Sequence, residues 1–397
     1  MKTNKSPKIS TLIFVIASLV LAPLYAQNSN SDKNSSKIEF PDIPGYKTLK
    51  CDFHMHSVFS DGSVWPGLRV AEALRDGLDA ISITDHLEYQ PHQEDIPNKD
   101  RNRSYQIAAE EAQETEGEKL IVVNGVEITR DMPPGHANAI FVKDANKLLQ
   151  DDPIKVFKEA KKQGAFVFWN HPAWLDQRPD GIARLTDMHR KLIEEGLLQG
   201  IEVVNGRTYS DQALQIAIDH NLTILGNSDI HDLIDWEINR TEGQHRPVTL
   251  VFAKEKTARA LKEALQNHRT AVWFENSLIG TSQYLVPLIQ ESLKVNDVKV
   301  SIEEEQQDEE QEILVYPVAI ENRSDADFVL MNQSDYTFHN QTDVIIARAH
   351  ATTIVRVKTL KPLSSFSLKF RVLNALTAPA THPIVNFTVN VERIKEE

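Results

Sequence analysis

Residues 49–62 read LKCDFHMHSVFSDG and carry the first strong signal for both a fold and a site. The apolar start predicts a β-strand, in which side chains alternate between two faces. His54 and His56 therefore share one face and can reach one metal ion. Asp61 follows in the next turn, where its carboxylate can complete the coordination of a second ion.

Further histidines and acids recur at or just after the ends of later apolar runs. These candidates are His86 (after Asp85), Glu127, His136, His171, Asp229 and His231. Imidazole and carboxylate groups are the ligands that Zn²⁺, Mn²⁺ and Fe²⁺ take in proteins. Buried histidines and acids at apolar strand ends need partners, so the pattern favours a multi-metal site over satisfied core or surface histidines.

Short apolar runs alternate with amphipathic stretches from about residue 48 to residue 274. The runs are 49–56, 80–86, 120–128, 165–171, 201–205, 222–229 and 249–252, with 271–274 as a candidate further strand. This alternation predicts a parallel sheet with crossover helices, one of them running from Pro153 to Gly164. About seven repeats favour a closed β/α barrel over an open sheet, and in such barrels the chemistry lies at the C-terminal strand ends.

The first 26 residues are typical of an export signal. Lys2, Lys5 and Lys8 precede an apolar run, Leu12–Leu21, which is short for a membrane span. We expect cleavage after Ala26, a flexible leader over residues 27–42, and a periplasmic or extracellular protein with no later transmembrane segment. An uncleaved anchor helix is the alternative.

Net charge limits the kinds of molecule that can bind, and cysteine content limits the disulfides that can form. The formal net charge is −14, and it becomes −17 when three lysines leave with the signal. An anionic surface repels polyphosphate backbones, so we expect no nucleic-acid polymer as partner, whereas a small anionic substrate stays compatible if cations reverse the local field. The single cysteine, Cys51, allows no internal disulfide, and we predict a buried, inert thiol.

The C-terminal part of the chain has a different pattern. Residues 303–312 are acidic and predict an exposed linker or loop. From Ile313 onward, apolar and polar residues alternate, as at Val385, Phe387, Val389 and Val391. We therefore predict a small antiparallel β-sandwich over residues 300–397. Its histidines show no ligand spacing, so no catalytic site is expected there.

Six segments together resemble the ordered motifs of the PHP (polymerase and histidinol phosphatase) superfamily. They are DFHMHSVFSDG, SITDH, NGVEIT, PPGHANAI, WNHP and GNSDIHD. The resemblance implies a distorted (β/α)7 barrel over residues 43–290 with two to three divalent ions (Mn, Zn or Fe). It places the ligands on His54, His56, Asp61, His86, Glu127, His136, His171, Asp229 and His231, and gives Asp85 the role of orienting a ligand imidazole. The export signal, the segments DHLEYQPH and EVVNGRTY, and the β tail also resemble the exported phosphodiesterases of that superfamily, the Sb-PDE-like group.

The expected function is metal-dependent hydrolysis of a small-molecule phosphoester by a hydroxide that bridges two ions. Asp61, Glu127 and Arg246 are the expected catalytic residues. Arg246 and Arg207 are candidates for binding phosphate, and Glu88, His92 and Asn205 for lining the mouth.

Three alternatives to this function stay open. A phosphodiester is favoured on the resemblance alone, so a phosphomonoesterase of the same fold is one alternative. A non-phosphate metallohydrolase is another, although no lysine stands at the position of Glu127. The third is an exported binding protein that uses the barrel as a scaffold.

Overall fold

The computed structural model describes residues 37–117, 119–239, 243–301 and 313–394. The predicted signal peptide, residues 27–36 of the predicted leader and the acidic stretch 303–312 lie outside these ranges. Residues 37–42, assigned from the sequence to the leader, pack against the fold instead. Ile38 is buried, and its backbone N–H donates to the carbonyl of Asp76 at 2.8 Å. Among the described residues, no helix is both long and apolar enough to span a membrane.

Short strands and helices alternate from residue 47 to residue 292. The strands are β1 (Lys47–Asp52), β2 (Ala80–Ile81), β3 (Ile121–Val122), β4 (Gly125–Ile128), β5 (Ala137–Ile140), β6 (Phe166–Trp169), β7 (Gly200–Asn205), β8 (Thr208–Tyr209), β9 (Thr223–Asn227), β10 (Val248–Ala253), β11 (Thr270–Phe274) and β12 (Ser277–Gly280). The helices are α1 (Pro66–Arg75), α2 (Arg103–Glu114), α3 (Pro153–Gln163), α4 (Asp187–Glu194), α5 (Asp211–Asp219), α6 (Ile234–Glu237), α7 (Ala258–Gln266) and α8 (Ser282–Ser292), with a 3₁₀ helix at Ala145–Leu148.

Helix α3 shows how local sequence sets these bounds. Pro153 occupies its first turn, and the Asp152 side chain accepts hydrogen bonds from two backbone N–H groups there. Gly164 ends the helix with a left-handed φ of 79°, which a glycine adopts without steric cost. The helix predicted from Pro153 to Gly164 is therefore confirmed.

Two sheets form the barrel. One has the order β12-β11-β10-β1-β2-β3 and the other the order β4-β5-β6-β7-β8, with β9 paired to β7. Parallel bridges join the sheets where Met55 pairs with Ile230 and where His86 pairs with Glu127. The predicted α/β barrel is confirmed.

The prediction of parallel pairing throughout is wrong. Strand β5 runs antiparallel to both β4 and β6, and β10 runs antiparallel to both β1 and β11. The segment between β4 and β5 is only eight residues long, and a parallel crossover needs about a dozen or more. The pairs β1–β2, β2–β3, β6–β7 and β7–β9 are parallel, as predicted.

The barrel interior is apolar and closed at one end. Leu49 and Phe53 pack with Phe166 and Phe168 in a single buried cluster that also receives Leu261 of α7. The carbonyl of Leu265, in the same helix, accepts a hydrogen bond from Thr223 at the start of β9. Helix α7 therefore covers the N-terminal end of the parallel strands, and the C-terminal end is left to the polar groups.

The C-terminal domain is all-β, as predicted. Its strands are β13 (Leu293–Val295), β14 (Val298–Ser301), β15 (Leu314–Asn322), β16 (Phe328–Asn332), β17 (Thr337–Phe338), β18 (Val344–Ala347), β19 (Thr352–Thr359), β20 (Ser365–Val372), β21 (Ala375–Leu376) and β22 (Ile384–Ile394). One sheet has the order β13-β15-β19-β17 and the other β14-β22-β20-β16-β18. Every second residue of β20 is buried, which is the pattern of a strand with one face on a core.

Strand β21 ties the two domains together. It leaves the sandwich and adds to the barrel sheet beside β12, with Leu278 paired to Ala375 and Ile279 to Leu376. The Asn374 side chain donates to the carbonyl of Asn276 in the β11–β12 turn at 2.7 Å. The barrel and the β domain therefore share one hydrogen-bonded sheet.

Candidate metal centre

All nine predicted ligands lie together at the C-terminal end of the barrel strands. Their ligand atoms form four overlapping groups, within each of which the atoms lie no more than 4.8 Å apart. The groups are His56–Asp61–His86–His231, His54–His56–Asp229, His54–Glu127–His171 and His86–Glu127–His136. Residues that are up to 177 positions apart in the chain thus converge because consecutive strand ends meet at one rim of the barrel.

The group His54–His56–Asp229 is built on the H-x-H pair and on the segment after β9. The Nε2 atoms of His54 and His56 both lie 3.1 Å from Oδ1 of Asp229. Asp229 has a left-handed φ of 51°, and so has His171 at 27°. Backbone strain of this kind at non-glycine residues is concentrated at functional sites, where the surrounding structure holds it in place.

Glu127 lies at the middle of the site and is fully buried. Its Oε1 atom is 3.2 Å from Nδ1 of His136, 3.3 Å from Nε2 of His171 and 3.4 Å from Nε2 of His54. Its Oε2 atom is 2.6 Å from Nδ1 of His86. The two oxygens thus face different sets of imidazoles, which is the placement that a bridging carboxylate needs.

Asp61 completes the group on the opposite side of His56. Its carboxylate lies 3.2 Å from Nε2 of His86 and 3.4 Å from both Nδ1 of His56 and Nε2 of His231. The Nδ1 atom of His231 is 2.8 Å from the backbone carbonyl of Asp229, so a proton on Nδ1 leaves Nε2 free.

Six ligand atoms are buried and make no hydrogen bond of normal geometry, although other ligand atoms lie close to several of them. They are Nε2 of His54, Nε2 of His56, Oδ1 of Asp61, Oε2 of Glu127, Nδ1 of His171 and Oδ1 of Asp229. Buried polar atoms are normally paired, and orphans gathered at one place need an explanation. Imidazole nitrogens and carboxylate oxygens suit divalent transition metals, so the residues fit a centre of divalent ions.

The charges of the site hold its carboxylates in the anionic form. Burial alone acts to raise the pKa of Glu127, but the positive charges of His86 and His54 outweigh it and keep that pKa well below its ordinary value. Asp229 has its pKa lowered in the same way, chiefly by His54. Burial acts to lower the pKa of His86, but the charge of Glu127 outweighs it and raises the pKa to about 10. A cation that binds at His86 must therefore displace a proton from its imidazole.

Glu202 was not identified from the sequence, although it organises the site. It is buried in β7, and its Oε1 atom lies 2.9 Å from Nδ1 of His54 and accepts from Nδ2 of Asn227. Its Oε2 atom accepts from the backbone N–H of His171 and from Nδ2 of Asn205. A proton held on Nδ1 of His54 directs the bare Nε2 toward the ligand cluster. The signal was a single acid inside an otherwise apolar strand.

Arg69 was also missed. Its guanidinium is buried and donates to the backbone carbonyls of His56, Ile230, His231 and Asp232. These carbonyls belong to the two segments that carry the H-x-H and D-x-H ligands. Arg69 thus fixes both segments relative to each other, and no sequence pattern marks an arginine in α1 for that purpose.

Asp85 orients an imidazole only through an intermediary. Its carboxylate accepts from the backbone and hydroxyl of Ser57 and from the hydroxyl of Ser60. The Ser60 oxygen then lies 3.3 Å from Nδ1 of His56. The predicted orienting role of Asp85 thus acts on His56 by way of Ser60.

Arg246 is not placed where a catalytic or phosphate-binding residue has to be. Its Nε donates to Asp76 at 2.8 Å and its Nη1 to Asp52 at 3.1 Å, and its side chain is 1% exposed. Arg246 is in phase with Val248 and Leu250, which face the cluster outside the barrel interior. Strand alternation therefore turns its guanidinium away from the rim, and the predicted role is wrong.

Other candidates for the mouth are held by neighbours. Glu88 forms an ion pair with Arg130 at 2.8 Å. Arg207 donates to the backbone carbonyl of Glu237. Asn205 does reach the site, since its Nδ2 atom donates to Oδ2 of Asp229 at 3.1 Å.

Comparisons with known proteins agree with this arrangement. A two-domain protein from Bacteroides vulgatus, described as containing a predicted PHP-like metal-dependent phosphoesterase, has a crystal structure that superposes with a TM-score of 0.80 at 41% identity, covering 89% of this chain and 98% of that one. An uncharacterized protein of Methanocaldococcus jannaschii is 28% identical over 208 residues, which make up 49% of this chain and 88% of the relative. A family model for an Ig-like domain matches residues 300–388.

A distorted α/β barrel with imidazoles and carboxylates gathered at its C-terminal rim is the arrangement of a metal-binding α/β-barrel protein. With 41% identity over nearly the whole of both chains, the protein belongs to the PHP-like metal-dependent phosphoesterase family. The resemblance indicated by the six sequence motifs is confirmed, and the C-terminal domain is Ig-like.

Proposed function

We propose that this protein hydrolyses small phosphoesters with the help of divalent metal ions held at the rim of the barrel. The observation that carries the proposal is the convergence of nine imidazole and carboxylate groups, six of which present a buried atom without a hydrogen-bond partner. When bound, divalent ions supply Lewis acidity toward a phosphoryl oxygen and ionise water near neutral pH.

The residues of the chain have distinct tasks in this proposal. The nine side chains hold the ions, with Glu127 and Asp229 facing several imidazoles at once. Glu202 orients His54 from behind, and Asn205 fixes the carboxylate of Asp229. Because the ligand carboxylates stay anionic, the site carries the negative charge that attracts cations before any substrate binds.

The first experiment measures metal content and phosphoesterase activity on the same samples. Protein purified without added metal, and then loaded with Mn²⁺, Zn²⁺ or Fe²⁺, is tested on a panel of phosphoesters. The variants His54→Ala and Asp229→Asn are expected to lose both bound metal and activity. Each removes a ligand group that lies within 3.1–3.4 Å of two or more neighbouring ligands or their partners. His220→Ala, an exposed histidine at the end of α5, is the matched control and is expected to keep both. A protein that retains no metal and cleaves no phosphoester contradicts the proposal.

We propose a diester rather than a monoester as the preferred substrate. One support is the likeness of the sequence to exported phosphodiesterases. The other is that Arg246, which was expected to bind phosphate, is paired with Asp52 and Asp76 and so does not neutralise the second negative charge of a monoester. Turnover of bis(p-nitrophenyl) phosphate is compared with that of p-nitrophenyl phosphate. A clear preference for the monoester refutes this part and leaves phosphoester hydrolysis intact.

We also propose that the protein acts after export. The support is the basic and apolar pattern of residues 1–26, which lie outside the described part of the chain. Fractionation of cells that produce the full chain, with N-terminal sequencing of the product, tests this. A cytoplasmic product that keeps residues 1–26 contradicts it.

A further inference from the structure

A cavity of about 510 Å³ opens directly beside the metal centre. One side is formed by the ligand His171 and by Glu202 and Asn205, which orient the ligands. Trp174, Leu175 and Tyr209 also line the cavity, and its volume is typical of a small-molecule site. A group attached to a phosphoryl unit at the metal centre therefore has an adjoining space to enter.

The outer wall of this cavity exposes large apolar side chains. The ring of Trp174 lies 5.1 Å from that of His171 and 5.3 Å from that of His136, so it borders the centre itself. Trp174 is 41% exposed and Leu175 is 63% exposed. Two adjacent apolar side chains held open at the edge of a concave site gain free energy when a ligand covers them.

The charges of the wall exclude an anionic occupant. Of the residues that line the cavity, Asp176 and Glu202 are acids, and no described lining residue is a lysine or an arginine. Glu202 has its oxygens occupied by neighbouring donors, so it offers no acceptor for a cationic ligand either. The other acid, Asp176, is exposed to solvent, which screens its charge, so an uncharged organic group fits this wall. The indole of Trp174 favours a flat aromatic ring.

We infer that this cavity binds the organic group of the phosphoester, and that the group is uncharged and aromatic. The inference rests on the proposed function, because the metal centre has to hold the phosphoryl part. Trp174 and Leu175 are then the residues that determine specificity for this group.

Phosphonates test the inference without turnover, since their P–C bond is not hydrolysed. Binding of phenylphosphonate and of methylphosphonate to metal-loaded protein is measured by titration calorimetry. We expect the phenyl compound to bind at least about tenfold more tightly, as burial of a ring adds apolar contact that a methyl group lacks. Trp174→Ala and Leu175→Asn are expected to reduce that ratio to below about threefold, and Trp236→Ala, an exposed tryptophan outside the cavity, to leave it unchanged.

The outcomes separate the two proposals. If neither phosphonate binds to metal-loaded protein and no phosphoester of the panel is cleaved, the proposed function fails. If both bind equally well, or if the tenfold ratio survives in both cavity variants, the cavity inference is overturned while phosphoryl binding stands. Metal content is measured for every variant. Because Trp174 borders two ligands, Trp174→Ala can lose metal; in that case the result for Leu175→Asn decides between the outcomes.

Discussion

The most direct test of how this centre is built is the substitution Glu202→Gln, which keeps the shape of the side chain and removes its charge. Glu202 faces four donors, two at each oxygen: His54 and Asn227 at Oε1, and the N–H of His171 and Asn205 at Oε2. A glutamine has one acceptor oxygen and one NH₂ group. In either orientation its NH₂ group faces two donors, so two hydrogen bonds to a charged acceptor are lost.

The size of the effect follows from those contacts. Each hydrogen bond to a charged group contributes about 1.5–3 kcal/mol, so we expect the free energy of unfolding to fall by about 3 kcal/mol after relaxation. If the NH₂ group faces His54, the imidazole must keep its proton on Nε2, the atom that points at the ligand cluster. Loss of an outer partner of a metal-ligating histidine typically weakens metal binding by about 10–100-fold.

The assay is competition of metal-free protein with a fluorescent chelator, combined with urea unfolding. Glu291→Gln, an exposed glutamate on α8, is the matched control and is expected to change neither quantity. Metal affinity and stability that are both unchanged in Glu202→Gln would refute the reasoning that Glu202 sets the His54 tautomer.

Three further predictions concern stability. Burial lowers the pKa of His189 to about 4, so between that value and its ordinary pKa the unfolded chain binds more protons, and stability is complete at neutral pH and is lost as pH falls. Between pH 7.5 and pH 5.0, protonation of this group in the unfolded chain should lower the free energy of unfolding by about 2 kcal/mol. Urea unfolding should show that His189→Gln lacks this loss. Arg246→Met should destabilise the protein by about 3–5 kcal/mol, because Asp52 is left buried without its cation and Asp76 loses one of its charged partners, yet it should leave phosphonate affinity of the folded protein unchanged; weaker phosphonate binding would restore Arg246 to the site. Removal of metal with EDTA should lower the free energy of unfolding by about 4 kcal/mol where the ion was present at about 1,000 times its dissociation constant, without loss of far-UV circular dichroism. An unfolded metal-free protein would contradict that last expectation.

The ligands were predictable because their signal is local. His54 and His56 follow an apolar strand at a spacing of two, and strand geometry alone puts both on one face. Apart from His136, which directly precedes β5, the later ligands also stand at the ends of apolar runs, and the barrel brings those ends to one rim. Glu202 offered only one acid in an apolar strand, a pattern that fits a buried structural pair equally well.

The errors arose where the direction of a strand matters. Arg246 lies two residues before the start of β10, which runs antiparallel to β1, so it does lie near the ligand end of the barrel. Its side chain is nevertheless on the outer face, in phase with Val248 and Leu250. The phase was visible in the sequence, but the direction of the strand was not, because helix α7 between β10 and β11 imitates a parallel crossover. Pairing partners decide strand direction, and they are set by tertiary packing.

The centre owes much of its geometry to contacts within the polypeptide itself. The segments after β1 and β9 are joined by the bridge from Met55 to Ile230, and Arg69 holds carbonyls of both segments. Asn227 accepts the N–H of Phe53 at 2.9 Å, which fixes the backbone next to His54. The polypeptide therefore bears the cost of gathering these buried ionisable groups, in which the charges of carboxylates and imidazoles offset one another. In a small zinc domain the metal is needed for folding, whereas here the core of the barrel and its backbone bridges supply that order, so ion binding can be reversible without loss of the fold.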